Sequence, residues 1–84
     1  MTEFETEYFR ITDPESSKSG LTSTWTVQSP DMNLGLIYWH APWRRYIFEP
    51  AAETYFDAKC MRELAYFCDK KTREHMKEGE MNDR

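Results

Sequence analysis

Two hydrophobic periods divide this chain. From residue 3 to residue 49, apolar and polar positions alternate in short runs, the period-two signature of strands half-buried on a sheet. Residues 3–11 (EFETEYFRI) interleave aromatics with charges and predict an edge strand, and TDPESSKSG after them, with Pro14, Gly20 and three serines, predicts a long connection. Residues 22–28 (TSTWTVQ) are rich in β-branched types and set Trp25 and Val27 against Thr24, Thr26 and Gln28, which predicts a second strand. The turn residues SPDMN come next, and 34–39 and 43–49 form two more strands around the turn HAP.

After Pro50 the period lengthens. Phe56, Cys60, Leu64, Phe67 and Cys68 recur at three- and four-residue steps with Met61 and Ala65 beside them, one apolar stripe on a helix over about residues 57–76. Asp57 is the expected N-cap, with Phe56 and Met61 at the positions of a hydrophobic staple; Thr54 is a rival cap one turn earlier. Gly79 predicts the stop, with a frayed tail over 79–84. The expectation is therefore a single domain over 1–84 of α+β class: a four-stranded antiparallel β-meander packed against one C-terminal amphipathic helix.

Within that plan the segment Leu34–Pro50, LGLIYWHAPWRRYIFEP, stands apart. Strand alternation puts Leu34, Leu36, Tyr38 and His40 on one face and Gly35, Ile37 and Trp39 on the other; across the turn Trp43, Arg45 and Ile47 oppose Arg44, Tyr46 and Phe48. Both faces are apolar, and one helix covers only one face of a sheet, so an aromatic face should remain at least partly open. Register stays undetermined, because loops of two and three residues pair different sides.

Composition sharpens this picture. With 84 residues, folding buries only about 60 to 65% of the surface that the unfolded chain exposes. Thirteen aromatics compensate, since each buried ring removes on the order of 150 to 250 Å² from water. Net charge is −4, yet Arg44 and Arg45 form a cationic pair with no acid between 32 and 48. The acidic balance argues against general nucleic-acid binding, which needs several phosphate-neutralising side chains. Glu3, Glu5 and Glu7 interrupt the first residues, so no secretory leader is read there, and no apolar run reaches the length of a membrane span. A cytoplasmic, reducing setting is expected, with Cys60 and Cys68 too far apart along a helix to bridge.

Candidate chemistry is sparse. His40 and His75 have no Cys or carboxylate at metal-ligand spacing, the three glycines are scattered rather than gathered into a phosphate loop, and the paired acids sit in segments expected to be solvated. Neither a metal nor a cofactor nor catalysis is expected. Gly35 in a strand points to a bulge or to close approach of the helix. The contact candidates are Trp39, His40, Trp43, Arg44, Arg45 and Tyr46, because Trp, Tyr and Arg dominate binding hot spots. The plain alternative is that Pro42 shapes the turn, the tryptophans fold over the sheet edges and the arginines stack on them.

The run Leu34-Gly35, Trp39, PWRRY from Pro42 to Tyr46, Phe48, Pro50, Thr54, Phe56-Asp57, Cys60, Glu63 and Phe67 resembles a recurrent type of small phage and prophage protein of unassigned function. Those proteins carry a W-x-x-PWR-x-Y-x-F-x-P hairpin followed by one helix. The similarity covers about residues 22–70 and departs at Glu49, where an apolar residue would be expected. It implies a viral or prophage origin and transfers no functional residue. The resulting expectation is a non-enzymatic accessory protein in the host cytosol that binds and blocks or bridges a host or defence protein through the aromatic and Arg hairpin. A homodimer using that face is the second reading, and a single-stranded nucleic-acid binder the third.

Overall fold

A computed structural model describes the backbone of residues 2–83 and the side chains of residues 2–77. Six strands and one helix succeed one another: β1 (Thr2–Glu5), β2 (Arg10–Thr12), β3 (Glu15–Ser16), β4 (Ser23–Gln28), β5 (Asn33–His40), β6 (Arg45–Pro50) and α1 (Ala58–Asp83). The sheet order is β1-β2-β4-β5-β6, every pair antiparallel, with β3 pairing β4 beyond the end of β2. The class is α+β as the two periods require; the sheet has six strands rather than four.

The extra strands come from the first twenty residues. The segment expected as one strand over 3–11 folds back on itself, pairing Phe4 with Ile11 and Glu5 with Arg10. Thr6 makes the reversal: its hydroxyl accepts from the amides of Tyr8 and Phe9, both at 3.1 Å, while its own N–H donates to the Phe9 carbonyl at 2.8 Å. The expected connection then supplies β3. Pro14 has no N–H to give a ladder, so the chain beside β4 breaks into two short pieces, β2 pairing at Val27 and Gln28 and β3 at Ser23 and Thr24. A turn from Ser17 to Thr22, with Gly20 at φ 76°, leads into β4.

One face of this sheet meets the helix. Phe9, Ile11, Trp25, Val27, Ile37 and Tyr46 from the sheet and Leu64 and Phe67 from α1 form the buried core, with Phe4, Leu34, Trp39, Phe48, Phe56, Cys60 and Cys68 packed around it. Phe56, Cys60, Leu64, Phe67 and Cys68 of the predicted stripe thus point inward, and Trp25 meets Phe67 edge-on at 5.3 Å. Met61 and Ala65, expected beside it, are instead exposed, Met61 by 55%.

Local chemistry sets the joints. Asp57 caps α1 as expected, its carboxylate accepting from the Cys60 amide at 2.9 Å, which holds that carboxyl below the usual range. Thr54 does not compete: its hydroxyl donates to the Ala51 carbonyl at 2.8 Å and closes the preceding turn. The helix does not stop near residue 76 but runs on through Gly79 to Asp83. A glycine inside a helix costs about 1 kcal/mol and does not break it. Arg84, the last residue of the expected tail, lies outside the described residues.

Gly35 sits beside a bulge, since β4 and β5 pair Val27 with Gly35 and Gln28 with Asn33, leaving Leu34 as an extra residue that packs against the core. Its φ of 150° is one that side chains rarely adopt. A Cβ there would collide with the Glu49 carbonyl oxygen and stand 2.7 Å from the Phe48 ring, so the close approach comes from β6 rather than from the helix.

Candidate functional site

The hairpin turn is a four-residue loop, longer than either length weighed from the sequence. His40 pairs with Arg45, and the amides of Trp43 and Arg44 both donate to the His40 carbonyl, at 3.1 and 2.9 Å. Arg44 lies in the left-handed region at φ 55°, which costs a non-glycine residue about 1 kcal/mol or more. Pro42, whose φ is fixed and whose missing N–H is not needed there, starts the tight winding that this geometry closes.

An even loop settles the faces. Trp39 pairs with Tyr46 and Ile37 with Phe48 on the helix side, while His40 pairs with Arg45 and Tyr38 with Ile47 on the other. The six candidate residues are therefore divided. Tyr46 is core: it is buried, it meets Trp25 and Trp39 edge-on at 5.2 Å each, and its hydroxyl accepts from the Ser23 amide at 3.1 Å. Trp39 is half-buried between Tyr46 and His75, whose ring centre lies 4.4 Å away. These two rings serve the sheet and helix packing and are not available as a common platform with the turn.

The remaining four cluster at the tip. Trp43 is 62% exposed, and its indole meets the His40 imidazole edge-on at 4.7 Å. Arg45 Nε donates back to the Trp43 carbonyl at 3.2 Å, and Arg44 is exposed beside it. The tryptophan is thus held by its neighbours while most of its surface faces solvent. The cations expected to stack on tryptophan are not these arginines but Lys71, whose ammonium lies 5.6 Å from the Trp25 ring and 5.4 Å from Phe67.

From the tip, the uncovered face continues along β5 and β6. Leu36, Tyr38 and Ile47 share parity with His40 and Arg45, and Leu36 is 39% exposed. The Tyr38 hydroxyl donates to the Glu49 carboxylate, which pushes the phenol above its usual range. Glu49, the departure from the apolar pattern, is therefore the acceptor that orients Tyr38. Leu36, Tyr38 and Ile47 were not among the sequence candidates, although their parity with His40 would have found them once the loop was known to be even.

A polar cleft of about 350 Å³ lies on the helix side, lined by Glu3, Ser23, Trp25, Tyr46, Lys71 and His75 among others. Its charges are spoken for. Lys71 Nζ pairs with Glu3 at 2.5 Å and with Glu74 at 3.4 Å. Burial alone would lower the ammonium, but the Glu3 bond and charge outweigh it and hold Lys71 above its usual range, so it is not a neutral amine nucleophile. The thiols are similarly inert: burial pushes Cys68 up to about 11, and burial and Asp57 raise Cys60. No group of three or more metal-ligating side chains occurs among the described residues. Nor is any helix of the described residues long and apolar enough to cross a membrane.

No family model, curated protein or solved structure matches the chain.

Proposed function

We propose that this chain is a small non-enzymatic binding module of phage type that docks on, and blocks or bridges, a host or defence protein in the cell cytosol. The observation that carries the reading is Trp43, whose 62% exposed indole packs edge-on against His40 in the hairpin turn, just before the left-handed residue Arg44, and is flanked by Arg44 and Arg45. Exposing so large an apolar ring gives the monomer little stability, whereas a rigid Trp beside Arg is the anchor composition that carries most of the energy of protein interfaces. The resemblance of the PWRRY hairpin to small phage proteins supports the same reading.

The contact set is accordingly His40, Trp43, Arg44 and Arg45, extended by Leu36, Tyr38 and Ile47 on the open face. Single-stranded nucleic acid is less well supported than a protein partner, because Trp39 and Tyr46, two of its stacking rings, face the helix. Affinity capture from a host lysate tests the proposal. Wild-type protein should retain a discrete partner that Trp43→Ala and Arg44→Glu/Arg45→Glu lose while circular dichroism stays unchanged. If both variants capture the same proteins as wild type, the hairpin tip is not the docking surface.

A further inference from the structure

The chemistry of the hairpin tip, given the reading that the tip is the docking surface, limits what it can dock on. Arg45 Nε donates to the Trp43 carbonyl at 3.2 Å, which holds the guanidinium in the turn and leaves the N–H groups of its terminal nitrogens for another acceptor. Among the described residues no carboxylate pairs with Arg44 or Arg45, neither guanidinium lies over a ring, and the Trp43 indole N–H meets no acceptor. Guanidinium and indole donate and cannot accept, so Arg44, Arg45 and Trp43 offer donors alone.

No acid of the surrounding strands cancels this charge. Neither β4 nor β5 carries a carboxylate. Glu49, which shares the face of Arg45 on β6, stands four residues on, about 13 Å along the strand. That exceeds the screening length of about 8 Å at physiological salt, and the Glu49 carboxylate already accepts from the Tyr38 hydroxyl. On a chain of net charge −4 the tip is therefore a local cationic spot.

Carboxylates and phosphates both accept from the fork of an arginine. A nucleic-acid backbone asks for a longer track of cations than two arginines, and the net charge of the chain repels a polyanion. A protein surface that sets a few carboxylates around an apolar hollow answers both the guanidiniums and the exposed indole between them and His40. We propose that the tip recognises an acidic protein surface, with carboxylates on the forks of Arg44 and Arg45 and an apolar seat for Trp43.

Blocked tripeptides supply this chemistry without the partner, read by NMR titration of the full chain at low salt. Acetyl-Glu-Leu-Glu-amide should shift the Trp43 indole N–H and the Arg44 and Arg45 Nε–H signals. Acetyl-Gln-Leu-Gln-amide should bind about fivefold more weakly, and acetyl-Lys-Leu-Lys-amide should leave those signals in place. In Arg44→Gln/Arg45→Gln, changed only at exposed positions, the advantage of the Glu peptide over the Gln peptide should vanish. Equal binding of the Glu and Gln peptides, no shift at the tip, or tighter binding of a 5′-phosphorylated thymidine dinucleotide than of the Glu peptide would overturn the proposal. Those results would leave the tip as docking surface if Trp43→Ala still loses the partner captured from lysate. Capture indifferent to every tip variant removes the docking surface, and its acidic partner with it.

Discussion

Trp25 Nε1 donates to Glu3 Oε1 at 2.9 Å, so the first strand is fastened to the centre of the core by a carboxylate that also meets Lys71 of the helix. Burial by itself would raise the Glu3 carboxyl, but the bonds from Lys71 and Trp25 and the ammonium's charge outweigh it and hold the carboxyl below the ordinary glutamate value. A group whose folded value is depressed contributes stability that is present above its unfolded value and lost as pH falls through the folded one. The thermal midpoint of wild type should therefore drop on acidification below the ordinary glutamate range. Glu3→Gln should unfold at a lower temperature near neutral pH, by about 0.5 to 1 kcal/mol, with the gap closing in acid. A gap that stays constant with pH would show that the carboxylate's charge does not matter.

The Tyr46 amide and the Thr72 hydroxyl are joined across β6 and α1, while that hydroxyl donates to the Cys68 carbonyl at 2.8 Å. Thr72→Val keeps the shape and removes the acceptor. Urea unfolding should show a loss of about 1 to 2 kcal/mol, and hydrogen exchange at the Tyr46 amide should quicken in the folded protein.

Two tryptophans should answer differently to truncation. Trp25 is 4% exposed and Trp43 62%. Trp25→Ala should cost about 3 to 5 kcal/mol, enough to unfold much of a small domain, while Trp43→Ala should stay within about 0.5 kcal/mol of wild type. Chemical denaturation with fluorescence detection separates the outcomes.

Gly35 tolerates no side chain. Both its φ and the Glu49 carbonyl beside it oppose a Cβ, so Gly35→Ala should lose about 2 kcal/mol or more. A neutral result in thermal melts would mean that β5 and β6 can shift apart at this point without cost.

The thiols offer a check on helix docking. Cys68, raised to about 11 by burial, should resist alkylation at pH 8, and Cys60, raised less and less enclosed, should react first. Equal rates in the native protein would place Cys68 outside the core.

The helix and the strand β4 were legible because their residues follow one period cleanly: Phe56, Cys60, Leu64, Phe67 and Cys68 all reach the core, as do Trp25 and Val27. The reversal at Thr6 was not, since a lone threonine inside an alternating run carries no glycine or proline to mark a turn. Nor was the length of the hairpin loop, because it depends on Arg44 adopting a conformation that arginine seldom adopts. The even loop that results decides which residues pair across the hairpin, setting Trp39 against Tyr46 on the helix side and His40 against Arg45 on the other. Periodicity placed Met61 and Ala65 on the apolar side of the helix but could not say where the sheet would end.

The Thr72 hydroxyl also has a consequence in time. The group that occupies the outer edge of β6 comes from the last element of the chain, twenty-six residues after the amide it meets. Until α1 docks, a collapsed sheet presents that edge bare, and an unpaired strand edge is a template for other chains. The domain is thus most prone to aggregate in the interval between sheet formation and helix docking, and Thr72 ends that interval.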